Sequence, residues 1–195
     1  MEIIIHRVNT IARLKKLRVE FGIEIDVRSS GSNLILNHEP YERGENLIDY
    51  LDEYKHGTII FNIKESGIEN DVIKLINQRS NIKNYFLLDV EFPFIFQSLS
   101  VPFKNIALRF SEFESIENLK KLVGKVGWVW IDTFKHFPVK EDDIETLNRY
   151  KKCLVCPERW GRPNDISKYK MYMKDLNFKI DAVMTAKNYV ELWLD

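Results

Sequence analysis

The chain has 195 residues, of which 45% are hydrophobic, a proportion that supports a globular fold with a buried core. Its 29 lysines and arginines balance 29 aspartates and glutamates, so no net field favours nucleic acid or an anionic membrane surface as a partner. No apolar stretch reaches the roughly 20 residues that a membrane span needs, and no secretory leader is recognisable. We therefore expect one cytoplasmic domain over residues 1–195, with no transmembrane segment; a homodimer is compatible with the sequence.

Short apolar runs alternate with helical patterns along the whole chain. The runs predict eight strands, at residues 2–6, 23–27, 58–63, 85–89, 106–110, 127–131, 152–156 and 180–184. A further strand-like run at residues 33–37 lies between the second and third strands. Apolar residues spaced three and four apart predict a helix in each interval and after the last strand.

This alternation predicts a parallel sheet, and eight strand–helix units are the number that closes a barrel. The predicted fold is therefore α/β, a compact TIM-type (β/α)8 barrel. A doubly wound open sheet is the competing fold, but no glycine-rich turn follows the first strand to favour it.

Polar residues stand at or just past the carboxyl end of every predicted strand, which is where barrel active sites collect. They are His6, Glu24 with Asp26, Asn62 with Lys64, Asp89 with Glu91, Arg109, Asp132, Glu158 and Thr185. A strand tip can be polar simply because it leaves the core, but eight in succession favour a functional face.

Two carboxylates dominate the second of these strand ends. Glu24 and Asp26 are two residues apart, so in a strand they project from the same face, an arrangement that suits a divalent cation bound by oxygen. His6 and His38 each follow an apolar run, and imidazoles beside a metal suit phosphate-ester chemistry. Alternatively, the two acids form salt bridges with Arg7 or Lys64.

Four segments together resemble the active-site signature of glycerophosphodiester phosphodiesterases, which belong to the superfamily of phosphatidylinositol-specific phospholipase C barrels. They are Ile5-His6-Arg7 with Asn9-Thr10, Ile23-Glu24-Ile25-Asp26-Val27, Leu36-Asn37-His38-Glu39 and Asn62-Ile63-Lys64. The run from His6 to Asn9 is also similar to the first histidine motif of the sister sphingomyelinase D-type enzymes. The motif match covers the first third of the chain.

The resemblance implies a role for each matching residue. His6 and His38 correspond to the two acid–base histidines, and Glu24 and Asp26 to two ligands of a Mg²⁺ or Ca²⁺ ion. Lys64 and Arg7 correspond to residues that contact the phosphate. The implied substrate is a small or lipid-derived phosphodiester such as a glycerophosphodiester.

The chain departs from the family pattern at three positions. Val8 replaces the glycine that usually follows the first His-Arg pair, and Glu39 replaces the aspartate that usually follows the second histidine. Asn62 stands where an acid normally supplies the third metal ligand. Either Asn62 binds the cation through its amide oxygen, or Asp89 or Glu91 substitutes, or the metal has been lost.

Outside the motif, Arg109 and Trp160 are the candidate substrate-binding residues. Arginine suits phosphate, and a tryptophan on the loop after the seventh strand can stack on a sugar or base. The alternatives are a structural pair of Arg109 with Asp89 or Asp132, and a loop held by its own Glu158.

Two other functions compete with a phosphodiesterase. Asn62 favours a non-catalytic barrel that keeps a phosphate pocket after losing the third acid. A barrel lyase or isomerase using Lys64 as a Schiff-base amine is a weaker alternative, because it leaves both histidines without a role. Cys153 and Cys156, the only cysteines, are expected to be structural because their spacing places them on opposite faces of a strand.

Overall fold

A computed structural model of the chain describes residues 1–101 and 103–194. By their internal contacts these residues form two compact units, Ile5–Ser98 and Met1–Ile4 with Leu99–Asp195. The expectation of a single domain over residues 1–195 stays a prediction.

Strands and helices alternate as the sequence predicts. The strands are β1 (Glu2–Ile5), β2 (Gly22–Ser30), β3 (Asn33–Leu36), β4 (Glu45–Asn46), β5 (Ile59–Ile63), β6 (Tyr85–Leu88), β7 (Ala107–Phe110), β8 (Trp128–Ile131), β9 (Lys151–Val155) and β10 (Ala182–Thr185). The helices are α1 (Ile11–Leu14), α2 (Leu47–Asp52), α3 (Glu69–Asn77), α4 (Phe92–Ser98), α5 (Ile116–Leu122), α6 (Ile144–Leu147), α7 (Asp165–Asp175) and α8 (Glu191–Leu194). Short 3-10 turns precede α6 and α8 and follow β9.

In the unit Ile5–Ser98, β2 is the central strand. It pairs in parallel with β5, with Asp26 opposite Asn62, and β5 pairs in parallel with β6. On its other side β2 pairs antiparallel with β3, with Val27 opposite Leu36, and β3 continues antiparallel to β4. Gly31 has φ +62° in the hairpin between β2 and β3, a backbone conformation that favours glycine.

The helices of this unit begin where the sequence provides caps. The Thr10 hydroxyl accepts a hydrogen bond from the Arg13 amide at the start of α1, and the Asn46 side chain does the same for Ile48 at the start of α2. Tyr50 of α2 is fully buried, and its hydroxyl donates to the Val8 carbonyl at 2.7 Å. This bond fixes the chain just past β1.

In the other unit the strand order is β1, β10, β9, β8, β7. The pairs β7–β8, β8–β9 and β9–β10 are parallel. The strands are buried along most of their length, as expected when helices cover a parallel sheet. Cys153 and Cys156 are both buried, which agrees with a structural role.

The mixed α/β class and all eight predicted strands are confirmed, with ends that differ by a few residues. Closure of the strands into a barrel stays a prediction. One difference matters for the site: β2 continues to Ser30, so Glu24 and Asp26 lie inside the strand and not at its tip. Among the described helices, none has the length and apolar character that crossing a bilayer requires.

Candidate functional site

The site is built on one face of β2. Glu24 and Asp26 are two residues apart, so both side chains project from that face, and they are almost completely buried, at 1% and 0% exposure. Asn62 of β5 lies opposite Asp26 in the parallel register and is also buried. Register and strand period together place two carboxylates and one amide side by side.

Glu24 is held from two sides. Its Oε2 accepts a hydrogen bond from the Arg7 amide at 2.7 Å, and its Oε1 accepts one from Asn62 Nδ2 at 2.9 Å. His6 Nε2 lies 3.9 Å from Oε2. Burial, and then the charge of Asp26, raise the pKa of Glu24 to about 7 because both disfavour its ionised form.

Asp26 contacts the amide side chain of Asn9 and two positively charged side chains, Lys64 and Arg7. The Asn9 side chain donates to Asp26 Oδ2 at 2.8 Å and accepts from the Asp26 amide at 2.9 Å, a reciprocal pair that fixes the carboxylate. Lys64 Nζ lies 3.2 Å from Oδ1, and Arg7 Nε lies 3.8 Å from Oδ2. The pairing of these acids with Arg7 and Lys64, anticipated as an alternative to metal binding, is therefore present.

Two buried oxygens of the site accept no hydrogen bond: Asn62 Oδ1 and Asp26 Oδ1. The latter is within ion-pair distance of Lys64 but outside hydrogen-bonding geometry. Carboxylate and amide oxygens with free lone pairs suit a hard cation, so Glu24, Asp26 and Asn62 could bind one. With two carboxylates and one neutral amide, the site would bind the cation weakly. Among the described residues no group of three or more His, Cys, Asp and Glu side chains is arranged for a metal, so an amide would have to complete the set.

His6 and Arg7 lie on a constrained turn after β1. Arg7 has φ +53°, which is unfavourable for a residue with a side chain. Three hydrogen bonds hold the turn. The Arg7 amide donates to the Glu24 carboxylate, and the Val8 amide donates to the Glu24 carbonyl at 2.9 Å. Arg13 Nη1 donates to the Arg7 carbonyl at 2.5 Å. Such over-determined strain is common at functional sites.

His38 follows β3 on a loop that returns to β4. Its Nδ1 lies 2.6 Å from Glu39 Oε1, and this hydrogen bond lowers the pKa of Glu39. Gly44 closes the loop so tightly that a Cβ there would lie 2.3 Å from the Leu36 carbonyl oxygen. The Gly44 backbone therefore packs directly against the end of β3.

Arg28 is a residue of this site that the sequence analysis missed. Its guanidinium donates to the His38 carbonyl from Nε at 3.1 Å and from Nη2 at 2.9 Å, and to the Lys64 carbonyl from Nη1 at 3.1 Å. The available signal was its position two residues beyond Asp26, on the same strand face.

The alternative third ligands lie on the other side of Lys64. Asp89 Oδ2 is 3.8 Å from Lys64 Nζ, and Glu91 lines a cavity of about 130 Å³ with these two residues. Like Arg7, Asp89 has a positive φ, +59°. The Lys64 ammonium group thus lies between two carboxylates, those of Asp89 and Asp26.

Arg109 and Trp160, in the unit formed mainly by residues 99–195, share a different acid. Arg109 Nη1 lies 3.1 Å from Asp132 Oδ2, and Trp160 Nε1 donates to Asp132 Oδ1 at 2.9 Å. The anticipated structural pair of Arg109 with Asp132 is thus present. The Glu158 Oε1 accepts from the Thr185 hydroxyl at the end of β10, and the Glu158 carbonyl accepts from the Gly161 amide of its own loop at 3.0 Å.

Comparisons with known proteins support the fold. No family model and no curated protein sequence matches the chain. It is similar to the solved structure of an Oleispira antarctica phosphodiesterase in complex with the product sn-glycerol-3-phosphate, with a TM-score of 0.68, 14% identity, and coverage of 100% of this chain and 97% of that chain. A glycerophosphodiester phosphodiesterase from Agrobacterium tumefaciens has a TM-score of 0.66, 13% identity, and coverage of 96% and 98%.

A further Agrobacterium tumefaciens structure, assigned as a glycerophosphoryl diester phosphodiesterase, has a TM-score of 0.67 at 10% identity and covers 98% of this chain and 96% of its own. At these identities the likeness establishes fold and nothing finer. It agrees with the resemblance carried by the four sequence segments. The chain therefore has the fold of glycerophosphodiester phosphodiesterases.

Proposed function

We propose that the protein is a metal-assisted phosphodiesterase that hydrolyses a small or lipid-derived diester such as a glycerophosphodiester. The observation that carries the proposal is the buried pair Glu24 and Asp26, with Arg7, Lys64 and His6 within 4 Å of its oxygens. Burying two adjacent carboxylates is unfavourable, and a fold that needed them only for stability would do better with apolar residues. The shared fold and the four matching segments support the same function.

In the proposed reaction His6 and His38 are the general base and the general acid. One imidazole takes a proton from the attacking water, the new bond forms to phosphorus, and the bond to the leaving alcohol breaks. The other imidazole gives that alkoxide its proton. The Glu39 carboxylate, bound to His38 Nδ1, orients this ring and leaves Nε2 to exchange the proton.

Lys64 and Arg7 are proposed to neutralise the phosphoryl oxygens, and Glu24, Asp26 and Asn62 to hold Mg²⁺ or Ca²⁺. When bound, the cation would polarise the phosphodiester. Asn62 supplies an oxygen without a charge, so we expect weaker binding than a site with three acids would give.

The finer features predicted from sequence are part of this proposal. They are a closed (β/α)8 barrel, a cytoplasmic location, a role in lipid metabolism, and contacts of Arg109 and Trp160 with the substrate. The neighbour whose product is sn-glycerol-3-phosphate suggests glycerol phosphate as one half of the diester.

The test is an assay of purified protein with glycerophosphodiesters of different alcohols and added Mg²⁺ or Ca²⁺, run in ¹⁸O-labelled water. The proposal expects glycerol phosphate carrying one labelled oxygen, and loss of turnover when the metal is chelated. An unlabelled cyclic phosphate would indicate attack by a substrate hydroxyl. Failure to cleave any diester would contradict the proposal.

The second candidate is a phosphate-binding protein without turnover. Asn62 and the 3.2 Å contact of Lys64 with Asp26 favour it, because the ammonium group supplies positive charge where a cation otherwise would. An Asn62→Glu variant that gains both metal affinity and turnover would support this alternative. Rapid turnover by the wild-type protein would exclude it.

A further inference from the structure

The Arg28 guanidinium donates hydrogen bonds to the main chain of two different loops. Its side chain is 16% exposed and lies on the face of β2 that also carries Glu24 and Asp26. Two of its nitrogens donate to the carbonyl of His38, and the third donates to the carbonyl of Lys64. The loops after β3 and after β5 are thereby tied to one side chain.

These carbonyls lie where both loops leave the sheet. The Asn37 amide donates to the Asp26 carbonyl and the Lys64 amide to the Val27 carbonyl, each at 3.1 Å. Beyond these bonds, a half-buried carbonyl that lacked a donor would be destabilising. The planar guanidinium, with its five donors in a fixed fork, can satisfy two carbonyls at once, whereas a lysine ammonium offers no such fork.

We propose that Arg28 is a positioning residue that sets the separation of His38 and Lys64. By fixing both main chains, it aims an acid–base side chain and a phosphate-binding side chain at the same phosphate. The catalytic part of this inference rests on the proposed function. Arg28 acts through its two neighbours, because its hydrogen bonds go to their main chain; its Nη1 also lies 3.9 Å from Glu65 Oε2.

The alternative is a residue that stabilises the fold without affecting the chemistry, and Arg79 provides the matched control. In the same unit, the Arg79 guanidinium is 12% exposed, donates to the Leu75 carbonyl at 3.0 Å and pairs with Asp52 at 2.8 Å. It makes a comparable set of contacts at the end of α3. Loss of Arg79 should therefore reduce stability without changing turnover.

The experiment compares Arg28→Met, Arg28→Lys and Arg79→Met by kinetics and by amide hydrogen exchange. We expect Arg28→Met to lower kcat by about 10- to 100-fold with a much smaller change in KM, because small displacements of reacting groups slow chemistry strongly. Arg28→Lys should recover only part of kcat and of the melting temperature, because an ammonium group lacks the fork that binds both carbonyls. Methylguanidinium added to an Arg28→Gly variant should restore part of the lost turnover.

Exchange in residues 37–44 and 64–68 should accelerate together in Arg28→Met and remain unchanged in Arg79→Met. Wild-type kcat in Arg28→Met, or an equal loss of kcat in Arg79→Met, would overturn the positioning role. If the wild-type protein cleaves no diester, the proposed function fails, and the exchange measurement decides the inference alone. Unchanged exchange in either loop of Arg28→Met would then refute it.

Discussion

Each unit has one acidic cluster, Asp132 just past β8 and Glu24 with Asp26 inside β2, and the two clusters differ in how their charge is satisfied. Asp132 is one carboxylate with at least four donors: Arg109, Trp160, the Thr133 amide at 2.8 Å and Trp130 Nε1 at 3.4 Å. Glu24 and Asp26 are two adjacent carboxylates; the buried Asp26 Oδ1 accepts no hydrogen bond, and the pKa of Glu24 is raised. The first arrangement is complete as it stands, whereas the second still favours a proton or a cation.

This contrast separates a structural anchor from a reactive site, although both are buried acids of a parallel sheet. A carboxylate surrounded by donors stabilises the elements that supply them. A pair of carboxylates held close together stores unfavourable electrostatic energy, which binding or catalysis can release.

Replacing either proposed acid–base residue should have the largest effect. His6→Asn and His38→Asn are each expected to lower kcat by about 10²- to 10⁴-fold, the usual contribution of general acid–base catalysis. The measurement is turnover of a glycerophosphodiester. His136→Asn, an exposed histidine of the other unit, is the control and should keep wild-type activity. A loss below threefold in both active-site variants would refute the roles assigned here.

Removing Asp132 should destabilise the protein. Asp132→Ala leaves the indole and guanidinium donors of one cluster without their acceptor, so we expect the free energy of unfolding to fall by about 2–3 kcal/mol. Urea denaturation measures this loss, with the exposed Asp175→Ala as control. An unchanged midpoint would mean that Asp132 is not an anchor and that the two clusters are less different than we infer.

Glu24→Gln, unlike Asp132→Ala, should raise the free energy of unfolding at high pH. The folded-state pKa of Glu24 is raised from 4.5 to about 7, so metal-free folding takes up a proton between these values. The free energy of unfolding therefore falls as pH rises through that window, by up to about 3 kcal/mol. Glutamine is compatible because Asn62 can turn its unpartnered carbonyl towards the new amide.

We expect Glu24→Gln to be more stable than the wild-type protein at about pH 8 and equally stable at about pH 5, in denaturant titrations without metal. Asp26 and its partners remain in place in both proteins. A difference of the same size at both pH values would show that packing, and not ionisation, separates them.

The smallest expected effect is metal binding by the wild-type protein. At about ten times its dissociation constant, Ca²⁺ or Mg²⁺ should stabilise the fold by about 1.4 kcal/mol and raise Tm by about 3–6 °C. Asn62→Glu, or the shorter Asn62→Asp, should bind the ion more tightly and be less stable without it. Asp132→Asn should leave the metal response unchanged, and a metal response lost in that variant would place the cation elsewhere.

Much of this architecture could be predicted from sequence because it follows simple periodicities. The alternation of apolar runs and helical spacings gave all eight principal strands, and the two-residue spacing of Glu24 and Asp26 placed them on one face. His6 and His38 were recognisable because each follows an apolar run. These features depend on local patterns alone.

The remainder depends on contacts between distant segments, which leave no local pattern. Arg28 is identified only once the carbonyls of His38 and Lys64 are seen to converge on it. The left-handed backbone at Arg7 is not marked by a glycine, since tertiary hydrogen bonds enforce it. The sequence also left two roles open for Arg109, and its contact with Asp132 follows from how β7 and β8 pair.

The most direct test is a crystal structure of the protein grown with sn-glycerol-3-phosphate and Mn²⁺, whose anomalous signal locates the ion. We expect Mn²⁺ bound by Glu24 and Asp26, with the phosphate against His6, His38 and Lys64. A phosphate bound beside Asp132, or imidazoles of His6 and His38 that face separate environments with no Mn²⁺ at Glu24, would contradict this expectation.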